Sequence, residues 1–311
     1  MLSCPICLEA IPKGRTYSEA GLKKLHPKLT RLAPLQYSAE EQLKQARLRA
    51  DKMSIQGVQP KLSAILRIKD QSIELVNQGG KFILKPNPPF YEEVPANEAL
   101  TMRMAEACGI EVPVHGLLRA VDGSWVYFIK RFDREGRSRR IHVEDFSQLM
   151  GASRETKYDS SLEKIVQTLD QYCTFPAVEK AKLAKRLLFS FLTGNEDMHL
   201  KNFSLWQREG VVSLTPAYDL LNTTVVLGNA QEETALALGG KKKNLTRKLW
   251  IDYFCKERLG LRDGRIEAVL AQLQSAMDEW EALIERSYLS DTVKVRYLDL
   301  FAKRCATLQL A

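Results

Sequence analysis

The spacing of apolar residues predicts strands in the first half of the chain. Short apolar runs, "LSAILRI", "SIELVN" and "KFILK", are separated by "KDQ" and "QGG". Runs of this length bounded by turn residues are typical of a strand meander. Further on, "VPVHGLLRA" and "WVYFIKRFD" flank "VDGS", which predicts a hairpin. Between them, "EEVPANEALTMRMAEACGI" has apolar residues at helical spacing. Residues 55–133 are therefore predicted to form a sheet with one helix packed on it.

From about residue 145 onward the apolar period becomes mostly helical. "SSLEKIVQTLDQYC" begins with Ser160 and Glu163 at capping-box spacing, and "AVEKAKLAKRLLFSFLTG" predicts a second helix that ends at Gly194. Two amphipathic stretches, near residues 263–288 and 291–308, close the chain. The order of elements predicts a small β-rich part followed by a larger helical part.

The first fifty residues are polar and basic. One helix is predicted there in "SAEEQLKQARLRADKM", where Ser38 and Glu41 have capping-box spacing. We therefore expect three parts: a segment with short helices over residues 1–50, a β-rich lobe over 51–135 and a helical lobe over 136–311.

Composition narrows the class of protein. The chain has 311 residues and a formal net charge of +8, which suits an anionic partner. No apolar run reaches membrane-spanning length, and the start "MLSCPICLEAIPKG" lacks the basic and apolar regions of a secretory signal. We therefore expect a cytoplasmic protein with no membrane partner.

Two local features leave alternatives open. Cys4 and Cys7 form a C-x-x-C pair, which supplies half of a tetrahedral zinc site, but His26 is the lone further candidate nearby. The densest basic cluster, "KKKNLTRK" at residues 241–248, is compatible with an anion site and equally with a solvated loop. The six cysteines do not form a disulfide framework and fit a reducing compartment.

The stretch "SFLTGNEDMHLKNFSLW" carries the strongest chemical signal. Asp197 and Asn202 stand in D-x-x-x-x-N spacing between an apolar helix and a predicted hairpin, and Asp219 follows seventeen positions after Asn202. Protein kinases present this arrangement: the first Asp accepts the proton of the substrate hydroxyl, while the Asn and the second Asp hold magnesium over the triphosphate. Lys201 is positioned to place positive charge beside the γ-phosphate. His199 is predicted to be a hydrogen-bonding residue rather than a catalyst.

A kinase also needs a strand lysine that holds the α- and β-phosphates and a helical Glu that orients it. Lys85 ends the predicted strand "KFILK", and Glu98 follows thirteen residues later near the start of the next helix. A cradle of backbone N–H groups is expected before these strands. "MSIQGVQPKLS", with its single Gly57, is the candidate, although it fits neither common glycine-rich phosphate motif.

Together these pieces resemble the HipA family of bacterial serine/threonine kinase toxins. The matching stretches, which run in order over residues 54–245, are "GVQPKLS", "FILKPN", "NEALTMRMA", "IKRFDR", "GNEDMHLKNFSL", "LTPAYDLLNT" and "GGKK". The resemblance implies an α+β, two-lobed, protein-kinase-like (HipA-like) fold that uses ATP and Mg2+. Asp197 corresponds to the catalytic base. The ATP-binding set implied by position is Lys85, Ser54, Gln56, Gly57, Val58, Ile129, Arg131, Phe132, His199, Lys201, Asn202 and Asp219, with the last two as metal ligands and Glu98 as the orienting residue.

The resemblance also implies regulation and partners. In this family a loop serine is autophosphorylated, and Ser54 matches it better than Ser63 does. The short N-terminal segment is similar to the HipT branch, whose missing subdomain is a separate small protein, HipS. The departure "TYSEAG" from the Cys/His pattern of some short relatives argues against an intact zinc site. The implied partners are HipB-like helix-turn-helix and HipS-like antitoxins, with DNA reached only through the repressor. The implied substrate is an aminoacyl-tRNA synthetase, the tryptophanyl enzyme for this branch.

Two other interpretations stay open from sequence. One keeps the fold but makes the substrate a small molecule, such as an aminoglycoside or a lipid head group. The other is a non-enzymatic nucleic-acid-binding subunit that uses "KKKNLTRK" and the basic N-terminal segment.

Overall fold

The computed structural model describes residues 3–49, 60–136, 139–153, 155–228 and 231–310. The predicted phosphate-covering loop, with Ser54, Gln56, Gly57 and Val58, lies outside the described residues. The chain forms two compact units. The first consists of Met1–Arg103, Pro113–Phe132 and Ala282–Ser290, and the second of Met104–Val112, Asp133–Glu281 and Asp291–Ala311. Within the described ranges, no helix is long and apolar enough to cross a membrane.

An antiparallel five-stranded sheet forms the centre of the first unit. Its strand order is β2-β1-β3-β5-β4. Alternate residues of β1, β3 and β5 share one face of the sheet, because side chains along a strand follow a period of two, and they lie in one buried cluster with Leu22 and Leu25 of α1. β4 and β5 are buried on both faces. Helix residues up to Arg103 of α3 belong to this unit. The elements are α1 (Glu19–Leu25), α2 (Ala39–Arg49), β1 (Leu62–Arg67), β2 (Ser72–Leu75), β3 (Phe82–Lys85), α3 (Val94–Ala107), β4 (His115–Arg119) and β5 (Trp125–Lys130).

The N-terminal segment joins the edge of this sheet. Leu117 N on β4 donates to Pro5 O at 3.0 Å. Gly116 permits this approach, because a Cβ there would meet Ile6 Cα at 2.8 Å. The C-x-x-C pair lies in the same segment: Ser18 N donates to Cys4 Sγ at 3.2 Å, and Cys7 Sγ lies 3.1 Å from Ser18 Oγ.

Helices dominate the second unit, around one three-stranded sheet of order β10-β9-β8. Aromatic rings fill its core, with Phe189 edge-on to Trp280 and Phe191 against Trp250. The elements are β6 (Arg134–Glu135), β7 (Arg139–Arg140), β8 (His142–Asp145), α4 (Phe146–Leu149), α5 (Leu162–Tyr172), α6 (Pro176–Leu192), a 3-10 helix (Leu200–Asn202), β9 (Ser204–Arg208), β10 (Val211–Leu214), α7 (Thr223–Leu227), a π-helix (Leu249–Arg258), α8 (Asp263–Ser275), α9 (Met277–Arg286) and α10 (Asp291–Leu308).

Most predicted elements are confirmed, including the β4–β5 hairpin, the Ser38–Glu41 capping box and the helix that ends before Gly194. Two predictions need correction. The first three strands do not form a meander, because β1 lies between β2 and β3 and pairs with both. The cap of α5 is Ser161 rather than Ser160, since the Ser161 side chain accepts from Lys164 N. The amphipathic stretch near residues 263–288 consists of two helices, α8 and α9, which meet at Ala276.

Candidate active site

In the first unit, β3 and α3 bring Lys85 and Glu98 into a buried ion pair. Lys85 ends β3, where its backbone lies opposite Tyr127 of β5, and its Nζ stands 5.4 Å from the centre of the Tyr127 ring. The Lys85 ammonium contacts the Glu98 carboxylate, and the two side chains are 3% and 0% exposed. A lysine at a strand end is ordinarily solvated, but this one is not. Each charge is therefore compensated by the other rather than by water.

The predicted adenine-contacting residues lie at and after the end of β5. Ile129 is buried in the sheet, with its backbone opposite Ile83 of β3. Arg131 N donates to Lys81 O at 2.8 Å, which extends the pairing just past the strand. Phe132 follows as a partly buried residue. The structure thus groups Lys85, Glu98 and these three positions on the same sheet and its helix.

In the second unit, Gly194 turns the chain from α6 into the loop that carries Asp197. Its φ is +66°, and a Cβ there would clash with Leu300 Cδ2 and lie 2.9 Å from Thr224 Oγ1. The Gly194 carbonyl accepts hydrogen bonds from Thr224 N at 3.1 Å and from Thr224 Oγ1 at 3.0 Å. The first turn of α7 therefore fixes the start of the loop, and only glycine fits at this point.

The Asp197 backbone is the centre of the loop. Its carbonyl accepts from Asn202 Nδ2 at 2.6 Å and from His199 N at 2.8 Å. Asn202 N in turn donates to His199 O at 2.9 Å. These bonds fold the six residues from Asp197 to Asn202 into a tight turn, so that the first and last residues of the D-x-x-x-x-N motif lie side by side. The Asp197 side chain is 45% exposed.

The Asn202 amide has a fixed orientation. Because its Nδ2 donates to the Asp197 carbonyl, its Oδ1 points the other way, and no described residue donates a hydrogen bond to that oxygen. An amide oxygen beside a carboxylate is the kind of hard ligand that Mg2+ prefers, and Mg2+ takes few protein ligands. The donor set of Asn202 and Asp219 therefore fits magnesium. Among the described residues, no group of three or more His, Cys, Asp or Glu side chains is arranged to hold a metal.

Asp219 follows the β9–β10 hairpin in a left-handed backbone conformation, with φ of +55°. The preceding residue anchors it, since Tyr218 Oη donates to Lys201 O at 3.0 Å and contacts Ser204 Oγ. Burial lowers the pKa of His199, and the negative charge of Asp219 is among the smaller effects that oppose this shift. A non-glycine residue in this region is uncommon and costs free energy, so it is expected where the backbone must aim a side chain.

His199 and Lys201 play different parts in the loop. His199 is buried, and this burial lowers its pKa against the opposing effect of the Asp197 charge. Its Nε2 lies 2.7 Å from Lys157 Nζ, which agrees with the prediction of a hydrogen-bonding role. The Lys201 backbone accepts from Tyr218, and its ammonium partly offsets the rise that burial causes in the pKa of Asp145.

Sequence reasoning missed two residues of this site, Lys157 and Tyr158. Tyr158 Oη donates to Asp197 Oδ1 at 2.6 Å, across 39 residues of sequence. Both residues lie in the polar stretch between α4 and α5, which has no periodicity and no motif. No signal in a single sequence connects this stretch to the loop.

A lysine–glutamate pair on a sheet and helix, together with a D-x-x-x-x-N loop before a hairpin, is the arrangement of a protein-kinase-like fold. The comparisons with known proteins specify the family. The family model of the HipA-like C-terminal domain matches residues 53–280, and the chain belongs to this family.

Named relatives and solved structures agree with this assignment. The chain is 31% identical over 238 residues to a Haemophilus influenzae protein named "Putative kinase", covering 71% of this chain and 68% of that protein. It is 28% identical over 212 residues to the serine/threonine-protein kinase toxin HipA of Shewanella oneidensis, covering 60% of this chain and 47% of HipA. The chain thus spans about half the length of that relative.

Two solved structures share the fold. A chain in the Shewanella oneidensis MR-1 complex of HipA, HipB and operator DNA aligns with a TM-score of 0.67 and 21% identity, covering 96% of this chain and 80% of that one. The Helicobacter pylori proinflammatory kinase CtkA aligns with a TM-score of 0.58 and 16% identity, covering 83% of this chain and 93% of CtkA. The chain therefore has the mixed α and β fold of these kinases and is a member of a kinase family.

Proposed function

We propose that this chain is a serine/threonine-protein kinase that transfers the γ-phosphoryl group of ATP to a protein hydroxyl. The observation that carries the proposal is the loop in which the Asn202 amide donates to the Asp197 carbonyl at 2.6 Å. This bond holds the buried Asn202 amide next to Asp197, whose carboxylate is half-exposed. A carboxylate within hydrogen-bond reach of a hydroxyl is what a general base requires, and an amide oxygen beside it suits magnesium.

The proposed roles follow from the chemistry of each side chain. The Asp197 carboxylate accepts the proton of the attacking hydroxyl. Asn202 and Asp219 hold Mg2+, which supplies positive charge for the phosphates when bound. Lys85, oriented by its buried pair with Glu98, binds the α- and β-phosphates. The remaining proposed nucleotide contacts are Ile129, Arg131 and Phe132 at the adenine, and His199 and Lys201 near the phosphates.

Regulation is proposed at the loop that covers the phosphates, formed by Ser54, Gln56, Gly57 and Val58. We propose that Ser54 is autophosphorylated. A phosphate there adds about two negative charges where the phosphates of ATP must bind, so it is expected to weaken nucleotide binding.

The biological role proposed is that of a toxin in a toxin–antitoxin system. Support comes from the relative named as the kinase toxin HipA and from the solved complex that contains HipB and operator DNA. We propose a HipB-like repressor, through which DNA is contacted, and a HipS-like small protein of the HipT branch as antitoxins. The proposed substrate is an aminoacyl-tRNA synthetase, in particular tryptophan–tRNA ligase, whose phosphorylation stops tRNA charging and growth.

One assay tests the proposal as a whole. Purified chain is incubated with γ-labelled ATP and Mg2+, in one reaction with tryptophan–tRNA ligase and in a second with a cell lysate, and label on protein is measured. We expect labelling by the native chain, none by Asp197→Ala, and native labelling by Asp252→Ala, which removes an exposed carboxylate of the π-helix. Labelling that survives in Asp197→Ala contradicts the catalytic role. Labelling of other lysate proteins but not of the ligase contradicts only the substrate.

A further inference from the structure

Two neighbouring residues between α4 and α5 hold the loop that carries Asp197. Tyr158 Oη donates to Asp197 Oδ1 at 2.6 Å, and Lys157 Nζ lies 2.7 Å from His199 Nε2. The backbones also meet, since Leu200 N donates to Lys157 O at 3.3 Å. Consecutive residues of one segment thus contact two side chains and one backbone group of the other.

We infer that Lys157 and Tyr158 form a positioning clamp that aims the Asp197 carboxylate at the acceptor hydroxyl. This inference rests on the proposed function, in which Asp197 is the general base. Neither clamp residue is assigned to the phosphates or to the metal. They act through Asp197 and His199, whose side-chain positions they fix.

The Tyr158 ring, the His199 ring and the Lys157 ammonium pack against one another. The Tyr158 ring meets the His199 ring edge-on, with 5.0 Å between centres and 80° between planes. The Lys157 ammonium stands 4.7 Å from the centre of the Tyr158 ring. A half-exposed aspartate without such partners samples several rotamers, which costs conformational entropy when it must adopt one. The clamp removes that cost in advance.

Donor and acceptor assignments support one chemical state of the clamp. A lysine ammonium can only donate, so His199 Nε2 accepts and the neutral imidazole carries its proton on Nδ1. Burial and the neighbouring Asp197 charge raise the pKa of Tyr158, so its hydroxyl keeps its proton and remains the donor at neutral pH.

The geometry leaves one oxygen of the base available. The Tyr158 hydroxyl occupies Asp197 Oδ1, and no described residue hydrogen-bonds to Asp197 Oδ2. An ionised carboxylate has acceptor sites on both oxygens. The acceptor hydroxyl can therefore donate its proton to Oδ2 while Tyr158 stays in place, so the clamp need not open during the reaction.

The test compares two Tyr→Phe variants that each lose one hydroxyl bonded to a carboxylate. Tyr158→Phe keeps the ring against His199 and loses the bond to Asp197. Tyr253→Phe loses the corresponding 3.0 Å bond to Glu163, away from the loop. In steady-state labelling of tryptophan–tRNA ligase, normalised to folded protein by circular dichroism, we expect Tyr158→Phe to lower kcat about 10- to 100-fold with the KM for Mg·ATP within about twofold. Tyr253→Phe is expected to match the native chain.

A second variant tests the other half of the clamp. Lys157→Met keeps the aliphatic stem but loses the ammonium. We expect a smaller fall in kcat and a change in the nitrogen NMR signals of His199, which report which ring nitrogen carries the proton. Rescue of kcat by Lys157→Arg is expected, because a guanidinium also donates.

The outcomes separate the clamp from the proposed function. If the native chain labels neither itself, nor the ligase, nor any protein of a cell lysate, the proposed function fails. If the native chain is active and Asp197→Ala is inactive, but Tyr158→Phe has native or higher kcat, the clamp is wrong. A rise in the KM for Mg·ATP at unchanged kcat also overturns it, because that result assigns Tyr158 to nucleotide binding.

Discussion

Each unit contains one carboxylate of the candidate site, and the two carboxylates differ in their burial and in the groups that they contact. Glu98 in the first unit is fully buried and its charge is met by the Lys85 ammonium, while Asp197 in the second unit is 45% exposed and held by hydrogen bonds. Breaking a buried pair leaves an uncompensated charge, whereas removing a half-exposed carboxylate leaves little behind. We therefore expect the Glu98 pair to contribute strongly to the stability of the fold. We expect Asp197, the proposed general base, to contribute little to stability.

The sharpest way to break this comparison is to unpair Glu98. Lys85→Met is expected to lower the free energy of unfolding by about 3–5 kcal/mol, because it removes the positive charge that the buried Glu98 carboxylate contacts. Asp197→Asn is expected to change it by less than about 0.5 kcal/mol. Urea denaturation measures both. The double variant Lys85→Met/Glu98→Leu should recover much of the stability, and equal losses in Lys85→Met and Asp197→Asn would contradict the contrast.

Gly194 tests how the loop of the second unit is built. Gly194→Ala is expected to destabilise the chain by about 2–4 kcal/mol, since it combines a positive φ with a clash against Leu300. Gly210→Ala is the matched control, because Gly210 also has positive φ, +80°, but open space where a Cβ would lie. That variant should cost only about 1 kcal/mol. Equal melting temperatures for the two variants would show that the packing at Gly194 does not constrain the loop.

A negative charge placed at residue 54 tests whether the proposed phosphate-covering loop controls ATP binding. Ser54→Asp is expected to weaken ATP affinity about tenfold through repulsion of the phosphates. Ser54→Asn is the neutral control and should bind ATP as the native chain does. Isothermal titration measures both, and equal affinities for the two variants would remove Ser54 from the proposed regulation.

A smaller effect is expected from pH, which should change the free energy of unfolding through His115 of the first unit. Burial is the main cause that lowers the pKa of His115 from 6.5 to about 3. In the unfolded chain His115 therefore binds a proton below pH 6.5, whereas in the folded chain it stays neutral down to about pH 3. The free energy of unfolding therefore falls as the pH falls from 6.5 to 3. Between pH 7 and 6 we expect a loss of about 0.5–1 kcal/mol. His115→Gln should flatten this slope, while His142→Gln, at an exposed position, should leave it unchanged.

Local patterns predicted much of this molecule. The D-x-x-x-x-N spacing placed Asp197 and Asn202 correctly in one loop, because the bonds that join them span only five residues. The strands themselves and the place of Lys85 at a strand end were also predictable, since turn residues and the period of two are local signals. The pairing of the first three strands was not, because β1 lies between β2 and β3 instead of following a meander.

What the sequence could not predict depends on tertiary contacts. The Tyr158–Asp197 bond spans 39 residues. The burial of Glu98 depends on packing that no local pattern specifies. Ser160 and Ser161 are equally good caps by residue type, and the surrounding structure selects Ser161, whose neighbour Leu162 bonds to Ala237.

The central claim is that Asn202 and Asp219 hold a magnesium ion on the phosphates of ATP. Isothermal titration of ATP with and without Mg2+ tests it most directly, with Asp219→Ala beside the Asp252→Ala control. We expect Mg2+ to strengthen ATP binding to the native chain and to Asp252→Ala, and to have little effect on Asp219→Ala. The same gain from Mg2+ in all three proteins would contradict the claim.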